Sequence, residues 1–168
     1  MKVRALPVDP GPAAWNRLLP APPPVEEQVG AQTAEWLIIG AGFAGLAAAR
    51  RLTQLRPKDT IIILDATRIG EGPAGRNSGF MIDLPHDLSS SDYGGALDAD
   101  RAQTIANRHA IAFAAEMARD FDLSQEAFVQ CGKINAAATD SGHRHNLDYA
   151  RHLTSMGEAH ELRSAAQM

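Results

Sequence analysis

Apolar and polar positions follow no fixed period over residues 1–33, and a legible pattern begins at "WLII", Trp36 to Ile39, a short apolar run that predicts a strand. Glycines lead from it into "FAGLAAARRLTQL", whose alanines and leucines predict a helix that Pro57 stops. The next run, "TIIILD" from Thr60 to Asp65, is β-branched and uninterrupted, as in a parallel strand buried on both faces. Strand, helix and strand make a parallel pair with the helix as its right-handed crossover. A polar loop follows from Ala66 to about Ser91. A long helix is then predicted from about Ala96 to Phe121, with Ala106, Ala110, Phe113, Met117 and Phe121 recurring at spacings of three or four as its buried face. "GKINAAATD", Gly132 to Asp140, reads as a strand bounded by turn-formers. "SGHRHNLDYARHLTSMG" reads as a capped helix from about Ser141 to a C-terminal Gly157.

Composition narrows the class. The 168 residues are 45% hydrophobic, enough for a buried core of ordinary domain size. A net charge of −4 and a pI near 5.8 give no basic field for a nucleic-acid backbone or an anionic membrane. No run approaches the roughly 20 apolar residues of a membrane helix. One cysteine, Cys131, cannot form an internal disulfide, and no signal-peptide core follows the start, so the expected address is the cytoplasm. Residues 1–33 hold seven of the ten prolines and read as an extended arm, either solvated or pinned across the domain by Trp15 and Leu18–Leu19. No internal repeat stands out.

The glycines of G-A-G-F-A-G, Gly40 to Gly45, each have a physical role between a strand and a helix. Gly40 permits the tight turn, Gly42 lets a pyrophosphate approach the backbone, and Gly45 lets the helix pack closely on the sheet. Free N–H groups at the helix start, Phe43 and Ala44 among them, face the phosphates. Asp65 ends the second strand 25 positions after Gly40, with Ala66 beside it, where an acid would meet ribose hydroxyls. An acid there disfavours a ribose 2′-phosphate, and so NADP. The unit predicts dinucleotide binding and leaves NAD and FAD open.

A second glycine-rich stretch, "GEGPAGRNSGFM" from Gly70 to Met81, suits a longer cofactor, because small residues let a loop approach phosphates and a flavin edge. Gly75, Ser78 and Gly79 are small, and Arg76 and Asn77 offer donors. With "WLIIGAGFAGLAAARRL", "IIILD" and "GPAGRNSGF", the chain resembles the amino-terminal part of the D-amino-acid-oxidase-like superfamily of FAD-dependent oxidoreductases, and "GPAGRNSGF" resembles its γ-glutamylputrescine-oxidase-like branch. The resemblance implies that Gly40, Gly42 and Gly45 hold the FAD pyrophosphate, Asp65 the adenosine ribose, and Arg76 to Phe80 the phosphates and the flavin. The acid in these flavoproteins is commonly Glu, one methylene longer than Asp65. The resemblance also implies oxidation of a small-molecule amine or amino acid by hydride transfer to the flavin, and "GKINAAATD" resembles the strand that enters the substrate domain.

The expected class is therefore α/β: a Rossmann-type FAD-binding βαβ unit with G-x-G-x-x-G, a helical segment and the start of an α+β substrate domain, read as incomplete. Its divisions are an arm at 1–33, the FAD unit at 34–92, helix at 93–128 and the substrate-domain beginning at 129–168. Two other functions stay open: a non-catalytic or decayed dinucleotide-binding fragment, and an NAD-dependent dehydrogenase domain. No residue is singled out as catalytic. His143 and His145 diverge at a helix start and read as surface histidines, His86 as a turn residue, Cys131 as a buried small residue, and Glu26 and Glu27 as unpaired solubilising acids. No metal site is expected.

Overall fold

The computed structural model describes Val8, residues 11–20, 26–84 and 97–167. His86 and Pro22 to Pro24 lie outside the described residues. The fold is mixed α/β, with a short parallel sheet and three α-helices among the described residues, and the chain divides into two compact units, Met1–Phe80 and Met81–Met168.

In the first unit, β1 (Trp36–Ile39) and β2 (Ile61–Leu64) pair in parallel, Trp36 opposite Ile61 and Ile39 opposite Leu64. Between them runs α1 (Phe43–Leu55), which ends before Pro57 as the missing proline donor requires, and which packs against both strands. The sequence pattern predicts strands buried on both faces. Instead β2 is half-buried throughout, and Leu37 and Ile39 of β1 are 58% and 84% exposed. One helix lies over a two-stranded sheet, and its footprint cannot cover both faces.

Of the described arm, residues 11–16 are pinned, while Val8 and residues 26–33 are exposed. Trp15–Leu18 form one 3-10 turn, and Ala13 beside it is fully buried. Trp15 supplies the expected anchor, while Leu18 and Leu19 are exposed.

The second unit holds α2 (Leu97–Asp120) and α3 (Asp140–Met156), packed on each other. Asp98 and Asp100 in the first turn of α2 and Arg119 in its last complement the helix dipole. The expected buried face is corrected: Ala106, Ala110 and Phe121 are exposed, Phe113 and Met117 are half-buried, and Thr104 is the buried residue. The core of this unit lies instead on α3, where Tyr149, Leu153 and Met156 cluster with Leu84 and Leu97 against them. His152 Nε2 meets Asp100 Oδ2 at 2.8 Å across the two helices, and Arg108 bonds both Glu158 oxygens, at 3.0 and 2.7 Å, and Asp83 at 3.0 Å.

The C-terminal end of α3 follows its sequence signal, whereas its start at Asp140, N-capped by Thr139, takes two residues from the expected strand. The Thr139 hydroxyl accepts from Gly142 N at 3.1 Å, and Gly157, at φ 81°, closes the helix with Glu158 N donating to Leu153 O at 2.9 Å. The strand expected over Gly132–Asp140 is absent among the described residues: 132–137 are irregular, because no neighbouring strand offers them a ladder. Cys131, in the same irregular stretch, is exposed rather than buried. His143 is exposed and His145 half-buried.

Candidate functional site

Gly40 stands at φ +100°, a conformation that side chains with a Cβ resist, and so reverses the chain directly out of β1. Its N–H donates to Leu64 O at 2.7 Å and extends the ladder by one bond. Gly42 is the N-cap of α1, extended at φ −82°, and no side chain caps the helix there. The first N–H groups of α1 are thus left facing outward by the helix geometry itself. A Cβ added at Gly42 would meet nothing within 4 Å, whereas one at Gly45 would lie 1.9 Å from Gly40 O. Gly42 therefore keeps an approach open, and Gly45 lets the helix start sit on the turn. Phe43 and Ala44, the first residues of α1, are exposed.

Asp65 follows β2 and turns back to the same glycines. Its Oδ2 accepts from Ala41 N at 2.7 Å, and its Oδ1 accepts from Thr67 N at 2.9 Å and Thr67 Oγ1 at 3.2 Å. Ala41 is buried, so this carboxylate satisfies a donor that water cannot reach. The Ala41 N–H, followed by that of Thr67, holds the Asp65 carboxyl below the usual carboxylate range. Ala66 beside it is exposed.

The second glycine-rich loop repeats the first at its three glycines. Gly70 lies at φ +80°, Gly72 is an extended N-cap at φ −79°, and a Cβ at Gly75 would lie 1.7 Å from Gly70 O. G-A-G-F-A-G and G-E-G-P-A-G are thus one six-residue bend used twice, thirty positions apart. The two differ in the element each one opens: thirteen residues of α-helix for the first, and a three-residue 3-10 turn, Pro73–Gly75, for the second.

The donors of this loop are used inside the chain. Arg76 Nε donates to Glu71 O at 2.9 Å, its Nη2 donates to Gly11 O, and the guanidinium pairs with Glu71 Oε2 at 3.8 Å. Asn77 Oδ1 accepts from Gly79 N at 2.7 Å, a side-chain turn that sets Gly79 at φ +78°. Asn77 O accepts from Trp15 Nε1 at 2.8 Å. Ser78, Gly79 and Phe80 are exposed.

Sequence reading missed Glu71. It is 7% exposed, and its carboxylate accepts from Asn16 Nδ2 at 2.9 Å and from Ala13 N. The Asn16 amide, then the Ala13 N–H, then the charges of Arg76 and Arg68 hold its carboxyl below the usual range. The signal available was an acid inside a second G-x-G-x-A-G. Among the described residues, no hydrogen bond joins Gly40–Gly45 and Asp65 to the second loop. Each group is built by itself.

The family model described as "DAO: FAD dependent oxidoreductase" matches residues 35–168. The chain is 28% identical over 158 residues to a protein of Rhizobium meliloti (strain 1021) named "Probable oxidoreductase OrdL", covering 89% of this chain and 34% of that protein. The chain thus spans about a third of that relative's length. No solved structure matches. Among the described residues, no helix is long and apolar enough to cross a membrane.

Proposed function

The chain belongs to the DAO family of FAD-dependent oxidoreductases, and from that premise we propose that it supplies the FAD-binding portion of an enzyme that oxidises an amine or amino acid. The observation that carries this reading is the pairing of an uncapped α1 N-terminus with the open Cβ direction of Gly42. A diphosphate fits there, because N–H groups and the positive helix end meet it without steric cost, the dipole contributing roughly 0.3–1 kcal/mol.

In this reading Gly40, Gly42, Phe43, Ala44 and Gly45 surround the pyrophosphate. Asp65 and Ala66 adjoin the adenosine ribose, where a carboxylate already bonded to Ala41 and Thr67 keeps lone-pair capacity for a hydroxyl donor. Asp65 also repels a ribose 2′-phosphate. Gly75, Ser78 and Gly79 allow close approach to the flavin, and Phe80 offers an exposed ring. Arg76 and Asn77, whose donors serve the loop, act by shaping it. Bound FAD supplies the acceptor for the hydride that leaves a substrate carbon beside nitrogen. Residues 129–168 begin the substrate domain, and "GPAGRNSGF" supports the γ-glutamylputrescine-oxidase-like branch. The lone Cys131 fits a reducing, cytoplasmic compartment.

That the chain spans a third of its relative favours a second reading, in which it binds FAD without turning over substrate alone. The visible spectrum of the purified chain with added FAD tests both. Bound flavin that bleaches anaerobically with an amine supports the oxidase; bound flavin that stays yellow supports the second reading. A chain that takes up no FAD overturns both.

A further inference from the structure

Residues 11–16 meet the second glycine-rich loop at four places along the arm. Gly11 O accepts from Arg76, Ala13 N donates to Glu71, Trp15 Nε1 donates to Asn77 O at 2.8 Å, and Asn16 Nδ2 donates to Glu71 Oε1 at 2.9 Å. Asn16 Nδ2 also reaches Ile69 O at 3.4 Å. Sequence distances of 53 to 65 residues separate these partners, so none is a local turn contact. The junction is closed to water at its centre: Ala13 is fully buried and Glu71 nearly so. Gly79 gives the Trp15 ring its place, since an added Cβ would lie 3.1 Å from Cζ2.

We propose that residues 11–16 are a strap that fixes the conformation of the Gly70–Gly79 loop and closes on Glu71, which makes Glu71 and Trp15 positioning residues for cofactor binding by that loop. The cofactor half of this statement rests on the function proposed above. A buried carboxylate is well suited to the closure. Glu71 takes donors from the arm on both oxygens, and Arg76 balances its charge while holding Gly11, so arm, acid and loop are fixed together. Glutamine cannot replace it. Its amide donor would face the Ala13 N–H or the Asn16 amide, and one donor would stay unpaired.

Hydrogen exchange followed by mass spectrometry on the full chain tests the strap without any cofactor. In the loop, Gly75 N bonds to Gly72 O, Arg76 N to Pro73 O and Gly79 N to Asn77 Oδ1. In Glu71→Ala and Glu71→Gln these amides are expected to exchange about tenfold faster, with α1 amides unchanged as the reference. Unchanged loop exchange overturns the strap. If α1 also accelerates, the variant has lost its fold, and Trp15→Phe, which keeps an aromatic ring and removes the N–H, decides by the same ratio. The second measurement is FAD affinity by flavin fluorescence, expected to weaken about tenfold in Glu71→Ala, with loss of the bound flavin's visible circular dichroism. A faster loop with unchanged affinity overturns the positioning role. If the unmodified chain takes up no FAD, the function proposed above fails and the positioning role with it, whereas loop exchange still decides the strap.

Discussion

Gly45 and Gly42 stand three positions apart in one bend and make opposite demands on it. Gly45→Ala would place a Cβ 1.9 Å from Gly40 O, inside any permitted contact, so the turn or α1 must move. We expect loss of stability detectable as a lowered urea midpoint. Gly42→Ala meets open space, so its midpoint should stay near that of the unmodified chain while FAD affinity falls by about tenfold. If both variants lose stability alike, the division of labour between the two glycines is wrong. Asp65 makes a pH prediction. Its folded carboxyl lies below the ordinary value of about 3.9, so its contribution to stability is present above that value and is lost as pH falls through the lower folded one. In Asp65→Asn this acid-limb loss should shrink in a pH series of urea midpoints. An acid limb identical to that of the unmodified chain would remove Asp65 from the account.

Elements with complete local signals are legible in the sequence. The helix "FAGLAAARRLTQL" keeps the bounds its flanks predict, because glycine before it and proline after it act within a few residues. The Gly157 cap of α3 follows for the same reason, and the two observed caps carry a prediction: Thr139→Ala and Gly157→Ala should each cost about 1 kcal/mol in urea unfolding, the first by losing the side-chain acceptor and the second by forcing a Cβ into φ 81°. A value near zero for Gly157→Ala would show that the last turn relaxes freely. The failures are non-local. "GKINAAATD" has strand composition but no strand to pair with among the described residues, and the helical spacing of Ala106 to Phe121 defines a face without showing which neighbour would meet it. At the candidate site the turn at Gly40 and the close approach at Gly45 are readable from spacing. The partners of Arg76 are not, since Gly11 and Glu71 reach it through the fold and no sequence rule relates an arm to a loop 65 residues on.

The chain as a whole offers two separate reporters. Trp15 and Trp36 both lie in Met1–Phe80, while α2 and α3 in Met81–Met168 hold most of the α-helix. Tryptophan fluorescence therefore follows the first unit and far-ultraviolet circular dichroism mainly the second. FAD at about a hundred times its dissociation constant should stabilise the fluorescence transition by about 2.7 kcal/mol, with a smaller change in the dichroism transition. Equal shifts would mean that residues beyond Phe80 share in holding the cofactor. Membership of the DAO family makes FAD the cofactor to test, and because the chain spans about a third of its relative's length, binding and turnover are measured separately.

The twice-used bend has a consequence for motif searching. A scan for G-x-G-x-A-G scores Gly40–Gly45 and Gly70–Gly75 as equal hits, and here the first two glycines of each share their backbone angles as well, so neither spelling nor those angles separate the bend proposed for the pyrophosphate from the bend that the arm fastens. What separates them is Phe43 against Pro73 in sequence, and thirteen residues of α-helix against a three-residue 3-10 turn in structure. A pattern that required about three helical turns and no proline after its second glycine would keep the first hit and discard the second.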